Sequence, residues 1–165
     1  MGDRQAMEKS AGGRSTAHLR RLAVLTLALL LLLLLLQVLM GMIVNLFVTV
    51  PGAHPGTGTT IVRGALAGLG WAIGSGSRSL TLHVLVGLLL GVSTIVLLVA
   101  SIASRRPGWW IVATIGLVAT LYAGLNGIAF MDAGKRDEYS LEMSVGLIVA
   151  VAAYVAGLVL PERSP

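Results

Sequence analysis

Apolar and polar positions in this chain are sorted into long blocks. Four blocks are almost free of charge: 22–50, 80–103, 109–131 and 139–160. The block 80–103 has twenty-four residues and no formal charge. As a helix rising about 1.5 Å per residue it is roughly 36 Å long, enough to cross a hydrocarbon core of about 30 Å. Each block predicts one membrane-spanning helix. Sorted at about 100° per residue, His83, Gly87, Gly91, Thr94 and Ser101 share one side of 80–103. Leu85, Leu89, Val92, Val96 and Val99 share the other. Large aliphatic residues suit lipid, and small or polar ones suit neighbouring helices. The other blocks repeat the pattern: Gln37, Gly41 and Asn45; Gly116, Thr120, Ala123 and Gly127; Met143, Gly146, Ala150, Ala153 and Gly157. The expected fold is all-α, a four-helix transmembrane bundle of up-down-up-down topology filling 22–160.

The polar segments between the blocks set the rest. Residues 1–21 are charged and glycine-containing, and predict a disordered tail. A basic stretch leads into the Leu29–Leu36 run, and no small-residue cleavage pattern follows, which predicts an uncleaved signal anchor. The long connection 51–79 is rich in Gly and Pro. Within it Ile61, Ala65, Leu69 and Ile73 recur at helical spacing near Trp71, as in a short helix lying in the headgroup layer. A phosphate loop is excluded because no Gly-Lys-Ser/Thr follows. Residues 104–107 predict a tight turn joining the second and third helices, with Trp109 and Trp110 at the interface. Residues 161–165 form a short tail.

Charge adds an orientation. The net charge of +5 does not point to nucleic acid, because the basic residues flank apolar blocks. Five Lys or Arg lie in the N-terminal tail, two at 105–106 and one after 160, eight on one side. Arg63, Arg78, Lys135 and Arg136 make four on the other. The bias predicts both termini in the cytoplasm and 51–79 outside, in a plasma membrane of the bacterial inner-membrane kind. The absence of cysteine removes disulfides, thiolate metal sites and thiol nucleophiles.

That topology gathers chemistry towards the outer face. Asn45 and Asn126 come late in outgoing helices, His83 and Met143 early in incoming ones, and His54 sits in the connection above. The inner half offers only hydroxyls: Thr26, Ser93, Thr94, Ser101, Thr114 and Tyr154. An imidazole and a thioether are both haem ligands, so His83 and Met143 are candidates to hold haem b. A quinone or lipid headgroup held by His83, Asn45 and Asn126 is the other cofactor expectation. No metal site follows from one intramembrane histidine, and no catalytic carboxylate pair or Ser/His/Asp set lies within the blocks.

Gln37-x-x-x-Gly41, a glycine-rich connection, and His83 opening the next helix resemble one four-helix half of the haem A synthase family, over residues 33 to 127. The resemblance implies haem bound near the outer face. The chain departs from the family's pattern in having Ser79, Leu80 and Val84 around His83, no histidine in the fourth helix and no cysteine pair in the connection. Two functions follow. One is a non-catalytic accessory or structural subunit that packs against a membrane-protein partner, or against a second copy through Gly87 and Gly91. The other is a haem- or quinone-binding redox protein centred on His83.

Overall fold

The computed structural model describes residues 2–57, 61–103 and 107–159, with side chains from residue 21 onward except at 23, 61 and 107. The described residues form five helices and no strand: α1 (Gly2–Phe47), α2 (Ile61–Gly74), α3 (Arg78–Ala103), α4 (Pro107–Asp132) and α5 (Asp137–Val159). Four carry segments long and apolar enough to cross a membrane: Val24–Phe47, Arg78–Ala103, Gly108–Asp132 and Asp137–Val159. The expected 104–106 turn and the 161–165 tail lie outside the described residues.

α1 begins at Gly2, so helix occupies the stretch whose composition predicts a tail. Its apolar part is a leucine run, a good helix former. It ends at Phe47, before β-branched Val48, Thr49 and Val50 and then Pro51, which disfavours helical geometry at the residue before it. α3 starts on an N-cap: the Leu80 N–H donates to Ser77 Oγ at 3.2 Å. α4 stops in a Schellman motif. Lys135 N–H donates to Phe130 O at 2.9 Å and Gly134 N–H to Met131 O at 3.4 Å, with Gly134 at φ +71°.

α1 lies beside α3 and α5, α3 beside α4, and α4 packs most extensively on α5. Along α4 and α5 the contacts run in opposite senses. Gly127 faces Met143, Gly146 faces Ala119 and Ala123, and Gly116 faces Tyr154. Gly157 then meets Val112 and Leu27. Glycine and alanine let these backbones approach closely. The small face read from α5 is the buried one: Gly146, Ala150, Ala153 and Gly157.

The interior is divided along the bundle axis. One apolar cluster joins Leu27, Leu30, Leu34, Leu90, Leu97, Ala150 and Tyr154. A second joins Val44, Val50, Ala72, Leu80, Val84 and Met131. The outside is also apolar. Leu85, Leu89, Val92, Val96 and Val99, the side of α3 assigned to lipid, are exposed, as are Leu25, Leu32, Leu35 and Leu39 on α1. A water-soluble monomer does not present this much contiguous apolar surface, and a bilayer is its natural solvent.

The connection between the first two long helices holds α2, which packs on α3 and touches α4. Its most buried residues are Gly64, Gly68 and Ala72, Leu69 and Trp71 pack partly buried against the second cluster, and Val62, Leu66 and Ile73 are exposed. The cause is a close crossing. The 54–57 turn lies on α2, and a Cβ at Gly56 would stand 2.5 Å from Gly64 O and 3.1 Å from Gly68 N. Only small residues fit under it. Gly56 also has φ +112°, as the residue after Pro55 in a tight turn requires.

Candidate functional site

The polar side chains that are not hydroxyls gather where α1 and α4 end and α3 and α5 begin. His83 enters this region from the second turn of α3. Its ring lies in a notch on α1: a Cβ at Gly41 would be 3.2 Å from His83 Cε1. The Gln37 side-chain N–H donates to His83 Nε2 at 3.3 Å. An amide nitrogen only donates, so Nε2 accepts and Nδ1 carries the ring proton. Gln37 in turn fills the space over Gly87, where a Cβ would be 3.0 Å from Gln37 Nε2. Gln37, Gly41, His83 and Gly87 therefore form one polar layer. On α1 it falls between Leu34 of the first apolar cluster and Val44 of the second. His83 Nδ1 and Gln37 Oε1 are buried and make no hydrogen bond.

Gly87 thus packs on the chain's own Gln37, whereas nothing lies within 4 Å of where a Cβ on Gly91 would be.

Met143 belongs to a different interface. Its Sδ would lie 3.3 Å from a Cβ at Gly127, so it packs towards α4, while His83 packs towards α1. Asn126 is bound to its own helix, its amide donating to Tyr122 O at 3.0 Å. Asn45 is half-buried and is drawn in through its backbone. The Lys135 ammonium donates to Asn45 O at 2.6 Å, to Val48 O at 3.0 Å and to Val44 O at 3.4 Å. Val44 O also accepts from the Val48 N–H at 3.2 Å, so the ammonium adds to a carbonyl already bonded there, and at the end of α1 it meets the negative end of the helix dipole. Lys135 reaches them from a left-handed backbone position, φ +66°.

His54 lies beside this cap. Its side chain is 1% exposed. The ring stacks on Trp71 of α2, centroids 4.9 Å apart at 18°. Its Nδ1 donates to Pro55 O at 3.2 Å, and its Nε2 stands 3.5 Å from Asp132 Oδ1 at the end of α4.

The five sequence candidates therefore occupy four settings: His83 with Gln37, Met143 with Gly127, Asn126 with its own helix, and Asn45 and His54 beside the Lys135 cap. Sequence reasoning missed Gln37 as the partner of His83, and Lys135 and Asp132 altogether. Gln37 carried a signal, since an amide within an apolar run needs a partner. Lys135 and Asp132 read only as loop charges.

The other half of the bundle holds hydroxyls bonded to their own helices: Thr26 to Leu22 O, Ser93 to Leu89 O, Thr94 to Gly91 O, Ser101 to Leu97 O and Thr114 to Trp110 O, at 2.7–2.9 Å. Among the described residues no three His, Cys, Asp or Glu side chains group to hold a metal ion. No family model, curated protein or solved structure matches the chain.

Proposed function

We propose that the protein is a non-catalytic membrane subunit, crossing a plasma membrane four times with both termini in the cytoplasm and α2 on the outer side. The carrying observation is where the polar groups go. Lys135 caps α1 and His83 takes its bond from Gln37; Asn126, Thr26, Ser93, Thr94, Ser101 and Thr114 bond their own helices; and Arg136 pairs with Glu138. The Lys135 and Gln37–His83 bonds join separate helices, and the others are satisfied within their own segment. The opposed contact order of α4 and α5 and the eight-to-four distribution of basic residues support the up-down-up-down crossing. The lipid-facing surfaces of α1 and α3 are where a membrane-protein partner packs. The test is gentle solubilisation of native membranes and purification of the full chain. A stoichiometric membrane protein that copurifies supports the reading, and a chain that purifies alone and unchanged removes it.

A second reading rests on the notch at Gly41. His83 Nδ1–H is a buried donor and Gln37 Oε1 a buried acceptor, both without a partner. A quinone carbonyl accepts from such a donor. Haem b needs a nitrogen lone pair instead, which Nδ1 lacks in this tautomer. The resemblance to half of haem A synthase belongs to this reading, since Gln37, Gly41 and His83 are its residues. An extracted quinone, or a Soret band after expression with ample haem, that disappears in His83→Ala supports it. A colourless, quinone-free protein ends it.

A further inference from the structure

We propose that α2 is an in-plane anchor whose outward stripe, Val62, Leu66 and Ile73, is seated among the lipids of the outer leaflet. With 14 residues α2 is about 21 Å long, too short to cross a hydrocarbon core of about 30 Å. Its depth is set by what it is fastened to. The Thr81 hydroxyl, in the first turn of α3, donates to Ala72 O at 2.9 Å. The Ser75 and Gly76 N–H groups close the end of α2 on Trp71 O at 2.8 and 3.1 Å. A Cβ at Gly76 would stand 3.1 Å from Leu80 Cδ2. Leu69, Trp71 and Ala72 join the apolar cluster that holds Val44 from the last turn of α1, Leu80 and Val84 from the start of α3, and Met131 from the end of α4. The C-terminal half of α2 is therefore level with the ends of three spans, at the boundary of hydrocarbon and headgroups and not in the water beyond it.

Sorted at about 100° per residue, α2 has three sides. Gly64, Gly68 and Ala72 are buried on the first, with Gly64 and Gly68 under the 54–57 turn. Val62, Leu66 and Ile73 lie within about 40° of one another on the second. They are 71%, 69% and 40% exposed, so the chain itself does not cover them. This stripe adjoins Leu69, so apolar surface runs from the packed side onto it without a break. Arg63, Gly70 and Gly74, all exposed, take the third side and offer no bulky apolar group. A helix lying beside a bundle in the interface needs these three sides: one on protein, one in acyl chains, and one towards phosphates and water, where an arginine reaches its head. The spans carry the same lipid-facing surface up to this level. Leu46 and Phe47 at the end of α1, and Leu82 and Leu85 near the start of α3, are exposed too. Acyl chains are the occupant because they already surround a stripe held at that depth.

The experiment places single nitroxide labels on the full chain in phosphatidylcholine nanodiscs that hold single copies. Depth is read from collisions with oxygen, which concentrates in lipid, and with a water-soluble nickel chelate. The chain has no cysteine, so Leu66→Cys, Ile73→Cys, Gly70→Cys and Gly74→Cys each take a label at one place. These positions are exposed, and nothing lies within 4 Å of a new Cβ at either glycine. Labels at 66 and 73 are expected about 5–10 Å below the phosphate level, and those at 70 and 74 at or above it. Equal depths on the two sides, or labels at 66 and 73 in water, would overturn the proposal. Labels at 66 and 73 that meet neither oxygen nor nickel would also overturn it, since protein would then cover the stripe. The proposal rests on the long helices spanning the bilayer. Depth is counted from the phosphates, so the result does not depend on which side of the membrane α2 lies or on a partner or cofactor.

Discussion

Gln37 and His83, 46 positions apart, are joined by a hydrogen bond of 3.3 Å across the α1–α3 interface. Each is the other's only hydrogen-bond partner among the described side chains. Removing one strands the other in an apolar interior, at a cost of about 1–3 kcal/mol. Gln37→Leu and His83→Phe each lower stability, and the double variant costs less than their sum by at least about 0.5 kcal/mol. Denaturant unfolding in detergent measures the cycle, and strict additivity would show that the pair is not energetically linked.

Two glycines assigned by sequence to packing faces should behave oppositely. At Gly116 a Cβ would be driven into the Tyr154 ring, which is fully buried. Gly116→Ala is expected to destabilise by about 1–3 kcal/mol through overpacking. At Gly91 there is open space. Gly91→Ala is expected to be neutral, or to stabilise by up to about 1 kcal/mol through helix propensity. Thermal unfolding of the two variants side by side checks this, and equal effects would contradict the packing described.

The ammonium on the end of α1 can be tested by charge and shape. Lys135→Met removes three hydrogen bonds to carbonyls and is expected to cost about 2 kcal/mol. Lys135→Gly loses the same bonds but relieves the left-handed backbone, φ +66°, so it should cost less than Lys135→Met by up to about 1 kcal/mol. Unfolding free energies rank the variants, and amide exchange in the last turns of α1 should rise in both.

Because the chain has no cysteine, its orientation can be read by single labels. Gly52 is exposed, with nothing within 4 Å of a new Cβ. In intact cells Gly52→Cys should react with a membrane-impermeant maleimide, whereas Ser164→Cys should react only after permeabilisation. The reverse pattern would invert the topology.

The parts of this fold legible in the sequence are those governed by burial. The lipid side of α3, the small face of α5 and the back-bonded hydroxyls are local, periodic properties, and periodicity exposes them. Gln37, Gly41 and His83 were also visible, because an amide and an imidazole in apolar runs demand inward-facing positions. What stayed hidden depends on distant segments meeting. Nothing near Asp132 or Lys135 in sequence says that one faces His54 and the other caps a helix ending at Phe47. On α2, nothing local shows that the 54–57 turn crosses at Gly56 and needs Gly64 and Gly68 beneath it. Met143 and His83 have similar depth along their helices, but angular position sends each to a different neighbour.

The Lys135 cap also bears on biogenesis. Synthesis proceeds from the N-terminus, and the carbonyls at the end of α1 wait for an ammonium 87 to 91 residues downstream. Until the turn between α4 and α5 has been made, the first segment has an unfinished end, and water or lipid headgroups must serve it. A nascent chain that stops before residue 135 lacks this ammonium, and the last turn of α1 is expected to open more readily there than in the full chain.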